Sequence, residues 1–180
     1  METEGRQLLD RIAAGDEAAL ADFYRLFEAR IYRFAQARLN DPFSAADILN
    51  EVMLEVWKQA GRFQGRSKLS TWLLGITRYK VLDRLRQRQR NPVQQELDDR
   101  LPDESPSHEA VIAGAQDAER LRHCLDRLPE SQREVMHLAF FEDLGYREIA
   151  ALVDCPEGTV KSRVYHAKEA LKRCLSRLME

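Results

Sequence analysis

Cysteine is scarce in this chain: Cys124, Cys155 and Cys174 are the three present in 180 residues, and no two form a CxxC pair. An odd, scattered set supplies neither a disulfide framework nor a four-ligand zinc site, so the expectation is a protein with reduced thiols. Long apolar runs are missing as well. No stretch reaches the eighteen or so apolar residues that cross a bilayer, and the opening METEGRQLLD lacks the basic start and apolar middle of a secretion signal. These absences argue against membrane insertion and secretion and point to a soluble, cytoplasmic protein. Glycine (8) and proline (6) are few, and long stretches are rich in Ala, Leu, Arg, Glu and Gln, which favours helix and leaves little material for a sheet. GxGxxG, P-loop, GxSxG and HExxH patterns are all absent, so neither catalysis by this chain alone nor a bound cofactor is expected.

What is there is charge, and it is segregated. Lys plus Arg number 28 and Asp plus Glu 30, yet residues 1–61 hold 7 basic and 11 acidic side chains, a net −4. Residues 62–90 reverse this with Arg62, Arg66, Lys68, Arg78, Lys80, Arg84, Arg86, Arg88 and Arg90 against Asp83 alone. That run is the strongest polyanion signal in the chain. Residues 91–117 turn acidic again through Glu96, Asp98, Asp99, Asp103, Glu104, Glu109 and Asp117, opposed only by Arg100. A second basic surface is expected near the end, where Lys161, Arg163, Lys168, Lys172, Arg173 and Arg177 crowd around Glu169.

Apolar periodicity divides the chain into an all-α protein of two small helical domains. A short helix over 7–14 precedes Leu20, Phe23, Phe27, Ile31 and Phe34, whose steps of three and four mark one face of a helix between Asp16 and Leu39. Asn40-Asp41-Pro42 stops it. Ser44 with Asp47 resembles a capping box, and Ile48, Leu49, Val52, Val56 and Trp57 form the next stripe, ending near Gly61. A polar loop, 62–70, leads to a helix over 71–89 that turns Leu73, Ile76, Leu82 and Leu85 inward. Together 1–90 reads as one helical domain. Residues 91–116 lack apolar periodicity, carry Pro92, Pro102 and Pro106, and read as a flexible acidic linker. The second domain, 117–180, begins with Leu121, Leu125 and Leu128, breaks at Pro129, and resumes with Val135, Leu138 and Phe141 on a helix that Ser131 caps. Residues 145–153, a turn through Asp154, Cys155, Pro156 and Gly158, and a helix over 159–178 using Val160, Val164 and Leu171 make a helix-turn-helix pattern.

Two of these segments carry chemistry. Long donors on the last helix, among them Lys161, Ser162, Arg163, Tyr165, His166 and Lys168, suit the DNA major groove, although an ordinary solvated terminal helix also accounts for them. The loop Phe63-Gln64-Gly65-Arg66-Ser67-Lys68-Leu69-Ser70-Thr71-Trp72 mixes glycine, cations, hydroxyls and aromatics. That mix suits single-stranded nucleic acid, whose phosphates need cations and whose unstacked bases need an aromatic or apolar seat. Phe63 and Trp72 are equally explained as packing residues of the bundle.

In this order, the residues resemble the extracytoplasmic-function class of bacterial sigma factors over nearly the whole chain. Asp47-Ile48-Leu49-Asn50-Glu51-Val52-Met53-Leu54-Glu55-Val56-Trp57 resembles region 2.2, Phe63-Gln64-Gly65 through Thr71-Trp72-Leu73 resembles the promoter-melting segment, and 154–163 resembles the region 4.2 recognition motif. The resemblance implies a factor that docks on core RNA polymerase, reads the minus-35 element as duplex with its C-terminal domain and melts minus-10 DNA with its N-terminal one. Asp47, Asn50, Glu51 and Trp57 match the positions that engage the clamp coiled coil of the largest polymerase subunit, with Asn50 where Gln is common; the flap is the second implied polymerase contact. Gly65, Arg66, Ser67, Lys68, Leu69 and Ser70 match the loop that captures a flipped base, flanked by Phe63 and Trp72, with Arg78, Lys80 and Arg84 tracking nearby backbone. Thr159, Lys161, Ser162, Arg163, Tyr165, His166 and Lys168 match the minus-35 contact region, with His166 where Arg is frequent. Asp154 fills a turn position often held by Gly, which Asp tolerates if the backbone is left-handed there. The resemblance also implies that the acidic linker threads the polymerase cleft and that an anti-sigma factor covers the docking surfaces.

Two other classes remain open on the residues themselves. One is a duplex-binding regulator whose N-terminal bundle dimerises or holds a ligand; it has no need of the melting loop. The other is an enzyme or metal sensor built on His123, Cys124, His137, Cys155 and His166, whose spacing assembles no site. The acidic pairs Asp98-Asp99 and Asp103-Glu104 suggest magnesium but lack preorganised geometry, so no metal is expected.

Overall fold

The computed structural model describes residues 1–90 and 110–179, and within them the chain is helical without a strand. It divides into two compact units, Met1–Asp98 and Asp99–Glu180. The segment 91–109, the greater part of the stretch expected to be a linker, lies outside the described residues.

The first unit holds α1 (Glu2–Ala13), α2 (Glu17–Leu39), α3 (Pro42–Gln59), a 3-10 turn (Ala60–Arg62) and α4 (Leu69–Arg90). The stripe on α2 is the heart of its core: Phe23, Phe27, Ile31 and Phe34 are essentially inaccessible, as are Ile48, Val52 and Val56 of α3 and Leu69, Leu73, Leu74 and Val81 of α4. Removing such area from water is what holds these helices together. Two expectations are corrected at element ends. α1 begins at Glu2, not Gln7, and its first turn packs as well: Gly5 is buried against the Phe27 ring and Leu69. The cap of α3 is Asp41, not Ser44: the Asp41 carboxylate accepts from the Phe43 amide, Pro42 takes the first helical position, and the Ser44 hydroxyl donates back to Asp41 at 2.6 Å. Asn40 adopts the left-handed conformation (φ 48°) that ends α2.

The second unit holds α5 (Ala110–Asp126), α6 (Glu130–Phe140), α7 (Tyr146–Val153) and α8 (Glu157–Met179), with α8 packed on the other three. Cys124, Leu128, Val135, Leu138, Ile149, Val160, Val164 and Ala167 form its core. α5 starts at Ala110, inside the stretch 91–116 that lacks apolar periodicity, where alanines favour helix without a stripe. Leu121 and Phe141, expected inside, are exposed; Phe141 falls past the end of α6. Ser131 does not cap α6, whose first turn follows Pro129.

The largest correction concerns sulfur. Cys124 and Cys174 form a disulfide that ties α5 to α8, leaving Cys155 as the free thiol. Fifty residues separate the pair, so spacing gave no hint of it. Packing of α8 along α5 brings the two together.

Candidate nucleic-acid interface

The loop of the first unit is built where the 3-10 turn releases the chain and α4 begins. Phe63 is half-buried, its ring 5.1 Å from that of Trp72, so both aromatics brace the loop while keeping part of their surface exposed. Gly65 has φ +66°, a conformation that favours glycine, and a Cβ there would lie 2.6 Å from Nη2 of Arg6. Arg66, Ser67 and Lys68 are exposed. Leu69 and Ser70, expected at the nucleic-acid surface, are not: Leu69 is fully buried and Ser70 nearly so, because they open the first turn of α4 and face the core. That correction shortens the exposed part of the loop to Gln64–Lys68.

Two residues that sequence reasoning missed complete this site. The Glu2 carboxylate accepts from the main-chain amides of Leu69 and Ser70, and the Arg6 guanidinium lies 5.5 Å over the Phe63 ring. Glu2, Thr3, Arg6, Gly65, Ser67 and Lys68 line an open cavity of about 480 Å³. A signal existed: Lys68, whose carbonyl accepts the first helical bond of α4 from Trp72, is a poor capping residue, so the amides of that turn had to find an acceptor elsewhere.

The basic run on α4 does not project into solvent as a block. Arg84 donates to Glu51 at 2.9 Å and lies 3.5 Å from Asp47, while the Lys80 ammonium lies 3.5 Å from Glu51 and 3.9 Å from Glu55. Arg88 donates to the Leu39 carbonyl, to Asp41 and to the Ser44 hydroxyl, clamping the turn between α2 and α3. Three of the nine cations expected to attract a polyanion therefore bind the acids of α3 and its cap. Arg78 is half-buried, and Arg62, Arg66, Lys68, Arg86 and Arg90 are the exposed ones. Burial pushes the Asp41 carboxyl up, but the Ser44 hydroxyl, the Ser44 and Phe43 amides and Arg88 outweigh it and hold it below its usual value.

The outer face of α3 presents Asp47 and Asn50 to solvent beside Phe43 and Leu54, which are 79% and 60% exposed. Trp57 is half-buried. Two large apolar side chains left in water between acids form a surface suited to a protein partner.

In the second unit, Glu148 accepts from the Gly145 amide at the start of α7, and Asp154 has φ 53°, the left-handed conformation that ends it. The turn then sends α8 out with Lys161, Ser162, Tyr165, His166 and Lys168 exposed, which is the face the sequence pattern selected. Thr159 and Arg163 are half-buried; Arg163 points back at the Cys155 sulfur, 3.8 Å away, and so supports the turn. The hydrogen bond from Lys161 to Glu157, at 2.7 Å, raises the Lys161 ammonium and lowers the Glu157 carboxyl from their ordinary values. Lys168 sits 4.9 Å over the Phe140 ring. The residues of the metal-sensor alternative are dispersed: Cys124 is bonded to Cys174, His137 lies 3.4 Å from Glu142, Cys155 faces Arg163 and His166 is exposed. No cluster of three or more possible metal ligands occurs among the described residues.

Comparison with known proteins follows this division into two units. Residues 23–91 match the family model for sigma-70 region 2, and residues 118–171 match that for sigma-70 region 4. The chain is 35% identical to the ECF RNA polymerase sigma factor RpoE of Cereibacter sphaeroides over 162 residues, covering 89% of this chain and 88% of the relative. It is 31% identical to the ECF RNA polymerase sigma factor SigK of Mycobacterium tuberculosis over 173 residues, covering 93% and 91%. In fold it is similar to CnrH solved with the cytosolic domain of CnrY (TM-score 0.70, 18% identity, covering 97% and 98% of the two chains). It is also similar to the sigma factor RpoE solved with the anti-sigma factor NepR from Bartonella quintana (TM-score 0.69, 24% identity, covering 86% and 97%).

Proposed function

Because the chain belongs to the sigma-70 family, in its extracytoplasmic-function class, we propose a division of labour between its two units in promoter-specific transcription initiation. The chain is a sigma factor, the initiation subunit that directs core RNA polymerase to promoters. The α8 face of Lys161, Ser162, Tyr165, His166 and Lys168 reads the minus-35 element in the major groove, and Thr159 and Arg163 hold the turn that aims it. The loop Phe63–Lys68 captures an unstacked minus-10 base. Arg66 and Lys68 contact the neighbouring phosphates.

The α3 face of Asp47, Asn50, Glu51 and Trp57, with Phe43 and Leu54, docks on the clamp coiled coil of the largest polymerase subunit; the second unit engages the flap. Docking that draws Asp47 and Glu51 to partner cations releases Lys80 and Arg84 toward DNA, and Arg78 lies on the same helix. The acidic segment that precedes α5, 91–109, follows the polymerase cleft. The sigma factor RpoE solved with the anti-sigma factor NepR, whose fold this chain shares, supports control by such a protein here. The chain performs no catalysis of its own, and its place is with RNA polymerase in the cytoplasm; no helix among the described residues is long and apolar enough to cross a membrane.

The observation that carries this reading is the exposed loop Gln64–Lys68 backed by the partly exposed Phe63 and Trp72 rings, which a regulator of duplex DNA alone would not need. Transcription with core polymerase on a genomic promoter library, with and without the protein, tests it. New transcript starts sharing two spaced upstream motifs are expected. Polymerase that neither binds the protein nor gains any start would favour the duplex-only regulator.

A further inference from the structure

The promoter-melting loop is not a free-standing hairpin of region 2. Three features tie it to the first helix of the chain. The first turn of α4 has unsatisfied amides by construction, and the acceptor they use comes from Glu2, 67 residues earlier than Leu69. Gly5, one turn along, permits the approach: a Cβ there would fall 2.8 Å from Cδ2 of Leu69 and 2.8 Å from the Phe27 ring. Arg6 then lays its guanidinium over Phe63 and against Gly65, whose positive φ of +66° favours glycine and whose missing side chain leaves room for the Arg6 tip. The cavity beside the loop consequently has two walls. Gly65, Ser67 and Lys68 make one, and Glu2, Thr3 and Arg6 of α1 make the other. It is an open depression at the surface, within reach of a base presented by the loop.

We propose that Glu2 is a positioning residue for base capture and that Arg6 is a specificity-determining residue that selects, at the captured position, a base carrying a carbonyl oxygen. This rests on the reading of residues 63–68 as the base-capturing loop. Glu2 fixes where α4 starts and therefore where the loop ends. Arg6 has only donors to offer, five in a rigid fork. Guanine, cytosine and thymine each present a carbonyl oxygen with two lone pairs to such a fork, whereas the adenine acceptors are single ring nitrogens, and the N6 amino donor beside N1 and N7 opposes a second guanidinium donor. With Phe63 under one face, the exposed guanidinium is biased toward the loop before DNA arrives, which favours selectivity over general affinity.

The test uses holoenzyme reconstituted from core polymerase and the full chain on a promoter recovered from the library. Every base is placed in turn at the non-template minus-10 positions, with a 2-aminopurine neighbour reporting base unstacking. Arg6→Met keeps an apolar stem over Phe63 and removes the donors; it is expected to reduce discrimination against adenine about tenfold at one position and leave the others alone. Glu2→Ala is expected to slow the unstacking signal about five- to tenfold on every template, with minus-35 preference and polymerase affinity unchanged. Glu2→Gln, which retains one acceptor oxygen, should recover most of that rate, a rescue that a merely structural role would not require. Both positions lie outside the buried core, and thermal melting verifies that the variants fold. Wild-type base preference in Arg6→Met together with a wild-type rate in Glu2→Ala overturns the proposal, and does so alone if Gly65→Ala abolishes unstacking. If Gly65→Ala also leaves unstacking intact, the base-capture reading of the loop falls, and this inference falls with it.

Discussion

Arg84 of α4 donates to the Glu51 carboxylate of α3 at 2.9 Å, joining a residue of the face proposed to dock on polymerase to one of the cations proposed to meet DNA. The charges that suggested two separate surfaces in the sequence neutralise one another in the free chain.

That pair should contribute little to stability. Glu51 is 40% exposed and Arg84 24%, so solvent screens their attraction. A double-mutant cycle with Glu51→Gln and Arg84→Met, read by urea unfolding at low and high salt, is expected to return a coupling of about 0.5 kcal/mol that shrinks with salt. A coupling several times larger and insensitive to salt would mean the pair is a structural clamp. Loss of polymerase affinity in Glu51→Gln would then owe as much to folding as to docking.

Asp41 is the more consequential acid. It caps α3, accepts from Ser44 and receives Arg88. Asp41→Ala should cost about 1–2 kcal/mol, the loss of a helix cap with a partner left over. Its carboxyl titrates below its ordinary value in the folded chain, so its stabilising effect is present above the unfolded pKa and is lost as pH falls through the folded one. Asp16, lowered first by its hydrogen bond from Arg11 and then by the Ala19 amide, acts in the same direction. The melting temperature of the parent should therefore fall below about pH 4, and the Asp41→Ala variant should show a shallower decline.

Reduction should loosen the second unit. A crosslink closing a loop of about 50 residues stabilises by about 4 kcal/mol through the unfolded chain. One thiol, Cys155, should react in the unreduced protein and three after reduction and unfolding. Calorimetry should show a transition that reductant lowers in the parent and in Cys155→Ser, and leaves unmoved in the double variant Cys124→Ser, Cys174→Ser.

On α8 the exposed and half-buried residues should separate by phenotype. Tyr165→Ala and His166→Ala are expected to alter minus-35 preference at single positions by about 1–3 kcal/mol in holoenzyme transcription. Lys161→Ala should weaken all promoters alike and reduce the salt dependence by about one unit of slope. Arg163→Ala, by releasing Cys155 and the turn, should lower every promoter together and also the melting temperature. A clean single-base effect at Arg163 would place it in the groove.

Much of this was legible in the chain itself. The stripe from Phe23 to Phe34 specifies α2 because its spacing can bury only as a helix. The pattern from Gly145 to Lys168 specifies a helix, a turn and a second helix, down to the left-handed Asp154. Local rules were enough there, since each feature depends on residues within one or two turns. They failed at Leu69 and Ser70, which composition placed in a polar loop and the first turn of α4 placed in the core. Leu121 and Phe141 failed for the converse reason: apolar character does not say which face a partner helix will cover.

Sequence by itself determined that this is an all-helical chain resembling sigma-70 factors, and it located the stripes of α2 and α3 and the helix-turn-helix, because periodicity and turn chemistry act over a few residues. Only the tertiary structure decided that Glu2 and Arg6 close the loop cavity, that Arg84 answers Glu51 and that Cys124 meets Cys174. Each of those contacts joins residues more than thirty apart. Packing of the apolar faces brings them together, and no local pattern records which distant side chain will arrive.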